Sequence, residues 1–257
     1  MYTYKCQNPE TLWYNKSMKD IVEVKNFCMK FGNKTIIKDL SFDVRAGEIF
    51  GLLGSNGSGK TTTLRALLGF YVPTSGELLI DGKKYDPEDS QVIVGYLPEE
   101  RGLYRKETVL DNMIYFGELK GLKDPKGWSL NYLKRVKLLD KANEKLEKLS
   151  GGQQQKVQLG VTIMNNPKLL ILDEPTKGFD PMNRRLLMEI IEESHKKGAA
   201  IIMITHYMEE VEKLCDRALL LKDGVAHAYG TIEEIKKEHK NKSLEQIFID
   251  VYGGEDE

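Results

Sequence analysis

The chain has 257 residues, with 38 lysines and arginines against 39 aspartates and glutamates, a net charge of −1, and is 40% hydrophobic and 30% charged. That length supplies one large domain or two small ones around a buried core, which excludes a disordered chain and a disulfide-stapled miniprotein. A charge this close to zero offers no basic face, so neither a nucleic-acid partner nor direct binding to acidic lipid is expected.

In chain order, residues 1–20 mix Tyr2, Tyr4, Trp13 and Tyr14 with lysines and polar residues and lack the apolar centre of a secretory leader. They read as an N-terminal extension. Residues 21–24, 35–37 and 40–44 have strand character, with Phe42 and Val44 alternating with polar neighbours, and suggest a small antiparallel layer. Residues 48–53 form an apolar strand that enters a glycine-rich turn, and 61–69 leave it as a helix. Residues 77–80 followed by Asp81-Gly82 read as a hairpin returning to the small layer.

From about 108 to 165 the period becomes helical: Val109, Met113 and Phe116, then Leu130, Leu133 and Val136, then Val157, Val161 and Met164. This reads as a helical insert. Strands resume at 169–172, 200–204 and 218–221, alternating with helices at 181–196 and 207–214, a pattern that predicts a mostly parallel sheet covered on both faces. Residues 253–257, Gly-Gly-Glu-Asp-Glu, are expected to fray. No run approaches the roughly 18 to 20 apolar residues that span a bilayer, so any membrane role must come through a partner. Cys6, Cys28 and Cys215 are widely separated, without CxxC or zinc spacing, and read as free thiols of a reducing cytosol.

Gly54-Ser55-Asn56-Gly57-Ser58-Gly59-Lys60-Thr61 matches G-x-x-x-x-G-K-[ST], placed after a strand and opening a helix. Glycines let successive N–H groups turn toward phosphate oxygens, and the helix adds its positive end. Lys60 would reach the β- and γ-phosphates and the Thr61 hydroxyl would ligate Mg²⁺. Asp173 and Glu174 end the apolar strand Leu169-Leu170-Ile171-Leu172. Asp173 would hold Mg²⁺ through water, and Glu174 would polarise the attacking water. Leu149-Ser150-Gly151-Gly152-Gln153 offers bare amides, a hydroxyl and a helix amino terminus, a second anion site suited to a γ-phosphate. One chain with two half-sites for one kind of ligand reads as one member of a head-to-tail dimer.

On these motifs the chain resembles the nucleotide-binding subunit of an ATP-binding cassette (ABC) transporter, from about residue 21 to residue 238. Residues 54–61 resemble the family's Walker A, 149–153 its signature and 169–174 its Walker B. The resemblance also implies nucleotide contacts from Thr62, a D-loop aspartate at Asp180, a switch histidine at His206 and a base-stacking aromatic at Phe31. Taken alone, Phe31 reads equally as a core phenylalanine. Glu99 stands at the family's Q-loop glutamine and would be a metal ligand carrying an added charge; Ser55 replaces the usual proline.

The fold so implied is α/β: a P-loop NTPase with a mostly parallel RecA-like sheet, an antiparallel β layer and an α-helical insert. Residues 21–240 would be the ATPase domain, with an insert at about 100–165, and 241–257 a tail. The resemblance implies ATP and Mg²⁺ as ligands, a second copy and an integral membrane permease as partners, and a cytoplasmic, peripheral location. The wording Leu97-Pro98-Glu99-Glu100-Arg101-Gly102-Leu103-Tyr104 resembles the sodium, drug or antibiotic exporter branch. Two alternatives stay open: a soluble cassette ATPase without a membrane partner, and a P-loop kinase, which would not need residues 149–153.

Overall fold

The first two strands, β1 (Asp20–Phe31) and β2 (Lys34–Arg45), form an antiparallel pair joined through Gly32, and β4 (Ser75–Ile80) lies on the other edge of β1. The two short strands expected at 35–37 and 40–44 are one strand. Asp39 takes a positive φ of 52° and shifts the inward face from Ile37 to Leu40, which hides the period of two. Asn26, itself at φ 48°, donates from Nδ2 to Asp39 Oδ1 at 3.0 Å and fixes this irregularity from the facing strand. The Asp81-Gly82 turn closes on a single bridge between Ile80 and Lys83, so the expected hairpin has no returning strand among the described residues. The computed structural model describes residues 19–86, 94–100 and 102–253, so Cys6, Trp13, Tyr14 and most of the 1–20 extension lie outside them.

The central sheet runs in the order β5-β6-β7-β3-β8-β9, from β3 (Ile49–Leu53), β5 (Val94–Leu97), β6 (Leu169–Asp173), β7 (Ala200–Ile204), β8 (Arg217–Lys222) and β9 (Val225–Thr231). All pairings are parallel except β8 with β9. Every residue of β3, β6 and β7 is buried, which is why their sequences are apolar throughout and do not alternate. Successive residues nevertheless serve opposite layers. Ile49, Leu53, Leu170, Leu172, Ile201 and Met203 enter the core beneath the helices, whereas Phe50, Leu52, Leu169, Ile171, Ile202 and Ile204 enter the core shared with the small antiparallel layer.

Helix α1 (Lys60–Leu67) follows β3. The insert comprises α2 (Val109–Leu119), α3 (Pro125–Arg135) and α4 (Gly151–Ile163). Thr108 and Asp124 accept hydrogen bonds as the caps of α2 and α3, and Pro125 opens α3 where its missing N–H costs nothing. Tyr132 of α3 lies on Gly160 of α4 and donates to the Lys156 carbonyl at 2.7 Å; a Cβ at Gly160 would collide with its ring. Helices α5 (Pro181–Lys196) and α6 (Met208–Leu214) complete the expected alternation.

Two helices follow β9, the second of them in the segment read as a tail. They are α7 (Ile232–Glu238) and α8 (Leu244–Tyr252), and α8 buries Leu244, Ile247 and Val251 against the helical-side core. The segment read as a tail therefore carries a packed helix up to Tyr252. Burial of three such side chains contributes about 2 kcal/mol each, enough to fix one short helix. Two bonds tie α8 to β8: Tyr252 Oη donates to the Leu221 carbonyl and Lys222 Nζ to the Val251 carbonyl, each at 2.6 Å.

The small layer is joined to the central sheet by a buried polar cluster. Arg217 on β8 lies 2.8 Å from Asp43 on β2 and 3.4 Å from Glu48, and Tyr229 on β9 donates to Asp43 at 2.7 Å. Burial alone would lift the Asp43 carboxyl, but the hydrogen bonds from Arg217 and Tyr229 outweigh it and hold the group below the ordinary carboxylate range. Removing Arg217 would leave buried Glu48 and half-buried Asp43 without this cation, a costly loss.

Candidate active site

Because β6, β7 and β3 are neighbours and parallel, their carboxyl ends open side by side, and the loops leaving them carry the residues expected to act. After β3, the turn from Gly54 to Gly59 curls tightly. Gly57 and Gly59 have φ of 81° and 113°, and a Cβ on Gly54 would stand 2.6 Å from the Leu221 carbonyl, so glycine is required at these positions for reasons of space and torsion. Gly59 occupies the N-cap of α1 and supplies no side-chain cap, which leaves the first amides of that helix available to an anion. Ser58 is buried with an Oγ that has no partner. Asn56, Gly57 and Thr61 are exposed, and Ser55 and Thr62 are half-buried.

Lys60 folds back over this turn, its ammonium 2.8 Å from the carbonyls of both Gly54 and Ser55. Burial lowers its pKa, opposed by the nearby carboxylates Asp173, Glu174 and Glu99. Asp173 is buried at the end of β6, and its carboxyl is pushed up to about 6, first by burial and then by Glu99 and Glu174. Lys60 thus lies among three carboxylates, of which Asp173 and Glu174 have no lysine or arginine among the described residues paired directly with them.

Glu174 adopts a positive φ of 49°, uncommon for a residue with a side chain, and its amide is held by the Ile204 carbonyl at 2.8 Å. Its Oε1 lies 2.8 Å from Nδ1 of His206, just past β7, while Oε2 is buried without a partner. With Nδ1 as the donor, the histidine fixes the carboxylate and leaves Oε2 with free lone pairs. His206 itself is exposed on the other side, its ring 4.5 Å from that of Tyr207.

The residues fit a divalent cation. Mg²⁺ is commonly held by one or two carboxylates together with substrate phosphates, and Asp173, with Thr61 in the first turn of α1, supplies a carboxylate and a hydroxyl. Glu99 is close enough to bear electrostatically on both Lys60 and Asp173. Among the described residues no group of three or more His, Cys, Asp or Glu is arranged to hold a metal unaided, so phosphate oxygens would have to complete the shell.

The Ser150 loop differs from the bare anion site read from sequence. Ser150 caps α4, accepting from the Gln153 amide at 3.3 Å, and Gln153 Oε1 accepts from the Ser150 amide at 2.9 Å. Two amides are thereby committed to a capping box, and Gly151 and Gly152 remain as the donors. Gly152 approaches Phe179 so closely that a Cβ there would stand 2.9 Å from Cε1 of the ring. Gly151 and Gly152 line a cleft of about 330 Å³ with Glu99, Gln155, Glu174, Lys177 and Gly178, and no residue from Gly54 to Thr61 is in that lining. Glu174 therefore borders a cleft that the Ser150 loop lines and the Gly54–Thr61 turn does not. Asp180 caps α5 through the Asn183 amide at 2.9 Å, which holds its carboxyl below the usual range.

Phe31 stands at the end of β1 and is 45% exposed, which favours an available ring over a core one. Two sets of residues escaped the sequence reading. Lys177 pairs with Glu99 at 2.5 Å, a cation that the glutamate at that position could have prompted one to seek. Buried Thr176 donates to Glu210 of α6 at 3.1 Å, and Glu210 pairs at 3.4 Å with Arg184, whose guanidinium lies 4.1 Å from the Tyr207 ring centre; no local motif marks this support of the segment beside His206.

With this geometry in place, the comparisons with known proteins agree. A family model described as ABC transporter matches residues 37–177. The chain is 47% identical over 220 residues to an uncharacterized ABC transporter ATP-binding protein of Methanocaldococcus jannaschii, covering 85% of this chain and 80% of that one. It is 36% identical over 233 residues to a Nod factor export ATP-binding protein of Rhizobium sp., covering 89% and 76%. A solved structure of the ATP-binding subunit of an ABC transporter superposes with a TM-score of 0.84 at 28% identity, over 90% of this chain and 99% of that one.

Proposed function

The chain belongs to the ABC transporter family as an ATP-hydrolysing, ATP-binding subunit, and from that premise we propose that it drives an exporter by closing and opening a dimer on ATP. The observation that carries the hydrolytic part is the Glu174–His206 pair, with its unpartnered Oε2. In the proposed reaction the amides of residues 55–60 and the Lys60 ammonium bind the phosphates, and the ammonium exchanges its carbonyl partners for phosphate oxygens. Glu174 Oε2 takes a proton from a water as its oxygen attacks the γ-phosphorus; the bond from that phosphorus to the β-bridging oxygen breaks, giving ADP and phosphate. Mg²⁺, when bound, neutralises charge on the β- and γ-phosphate oxygens, and Thr61 and Asp173, with Glu99 as a further candidate, would hold it.

The cleft at Gly151 and Gly152 is not lined by Gly54–Thr61, which supports the use of this half-site by the nucleotide of a second copy in a head-to-tail dimer, with Asp180 as a further contact. No helix among the described residues is long and apolar enough to cross a membrane, so coupling to transport requires an integral membrane partner, and the chain would sit on the cytoplasmic face through it. The export direction rests on the Rhizobium relative's printed role and on the loop around Glu99.

Glu174→Gln tests this reading. The variant should bind ATP normally, release phosphate about 10² to 10⁴ times more slowly, and sediment as an ATP-dependent dimer. Unchanged turnover would remove Glu174 from the reaction; a monomer at saturating ATP would remove the dimer.

A further inference from the structure

Beyond the phosphate chemistry, the ring of Phe31 is held in place by a residue outside every motif named above. Its centre lies 5.2 Å from that of Tyr71 with the planes at 79°, an edge-to-face contact. Tyr71 is half-buried against the core under the small layer. Its hydroxyl accepts a hydrogen bond from Arg65 at 3.1 Å and its amide reaches the Arg65 carbonyl. The loop beyond it is stitched to β1 as well: the Thr74 amide donates to the Cys28 carbonyl at 3.0 Å, and Thr74 Oγ1 accepts from the Lys30 amide at 2.9 Å.

Phe31 is thus fixed from below and beside while nearly half its surface stays open. Arg65 belongs to the last turn of α1 and Lys60 to its first, so a single helix, about 7.5 Å between these two positions, supports the phosphate loop at one end and the aromatic pair at the other.

We propose that Tyr71, tethered by Arg65, is a positioning residue that holds the Phe31 ring as a platform for the nucleotide base, so that α1 sets the spacing between base and phosphate recognition. This rests on the reading that Phe31 stacks on the base. A ring already immobilised by an aromatic edge loses less freedom when a base covers it, so the pair strengthens binding of a nucleoside triphosphate and contributes nothing to binding of a triphosphate without a base.

The test compares ATP with inorganic triphosphate, their affinities measured by calorimetry and competition on the full chain. Phe31→Ala should weaken ATP about tenfold, or about 1.4 kcal/mol, and leave triphosphate unchanged. Tyr71→Leu and Tyr71→Met, which keep apolar bulk against the core but remove the ring, should weaken ATP about fivefold with triphosphate again unchanged. Tyr71→Phe, which keeps the ring and the amide bond to the Arg65 carbonyl and loses only the hydroxyl's bond to the guanidinium, should stay within about twofold of the parent. If Phe31→Ala lowers ATP affinity and both ring-removing variants do not, or if they lower both ligands equally, the positioning role is overturned. If Phe31→Ala leaves the ratio of the two affinities unchanged, the base-stacking reading itself fails, and the proposal with it.

Discussion

Two glycine-bearing loops open helices in this molecule, and they differ in how much of their hydrogen-bonding capacity is already used. At α1 the cap is Gly59, without a side-chain acceptor, and the nearest ammonium is parked on carbonyls of its own loop. At α4 the cap is Ser150, and a reciprocal bond with Gln153 satisfies two amides. The first loop leaves its helix amides unspent, in an arrangement that only glycines allow. The second is stable as it stands and offers two glycine amides at an open surface. The contrast teaches that the same residue types, glycine and serine before a helix, build either a binding site or the edge of one, according to whether the cap side chain spends the helix's free donors.

Lys60→Ala strikes the ligand-dependent side of this contrast hardest. It removes charge-assisted bonds worth about 1.5 to 3 kcal/mol, and calorimetry on the isolated chain should find ATP bound about 10 to 100 times more weakly. An affinity equal to the parent's would mean that the loop binds through its amides alone.

A smaller effect concerns the charge that the first region carries without its ligand. Asp173 has a carboxyl raised from 3.8 to about 6, so the folded chain holds this proton more tightly than the unfolded one. Stability contributed by the group therefore falls as the pH rises from about 4 to about 6, and the cost is fully present above that. Asp173→Asn should stabilise the nucleotide-free protein by about 1 to 3 kcal/mol at pH 8 and change nothing at pH 4, as read by urea denaturation. A pH-independent difference would show that burial beside Glu99 and Glu174 does not raise the Asp173 carboxyl.

The mildest change sharpens the other side. Ser150→Ala deletes the cap of α4, costing about 1 kcal/mol of stability, yet it should leave ATP affinity of the single chain untouched. A loss of affinity comparable to that of Lys60→Ala would mean that the two loops serve one ligand within one chain.

Much of this was legible because the chemistry forces the residues. Strands buried on both faces must be apolar throughout, so β3, β6 and β7 stood out, and a phosphate cradle followed by a strand ending in Asp173 and Glu174 located the site. Two signals were present but unread: Gln153 three residues after Ser150, which makes the capping box of α4, and Ser243 with Gln246 before the apolar spacing of Leu244, Ile247 and Val251, which marks α8. What stayed hidden depends on pairing at a distance. Strand β5 is four residues long and acquires its identity from β6, and β9 is an edge strand of small and polar residues. The bulge at Asp39 disguised one strand as two, and Glu210 finds Thr176 and Arg184 only after folding.

The position of β3 in the sheet also bears on how the molecule is made. Gly51 pairs with Met203 on one side and with Ala218 on the other, so the strand leading to the phosphate loop waits for neighbours roughly 150 residues further along. At about 5 to 20 residues per second of translation, that interval lasts on the order of ten seconds or more, during which an apolar strand lacks both partners. Long-range parallel pairing is slow to nucleate once the neighbours do arrive. The nascent chain therefore carries this apolar strand unpaired through the interval, and the sheet that supports residues 54–61 is completed late in synthesis, although those residues are among the first to be made.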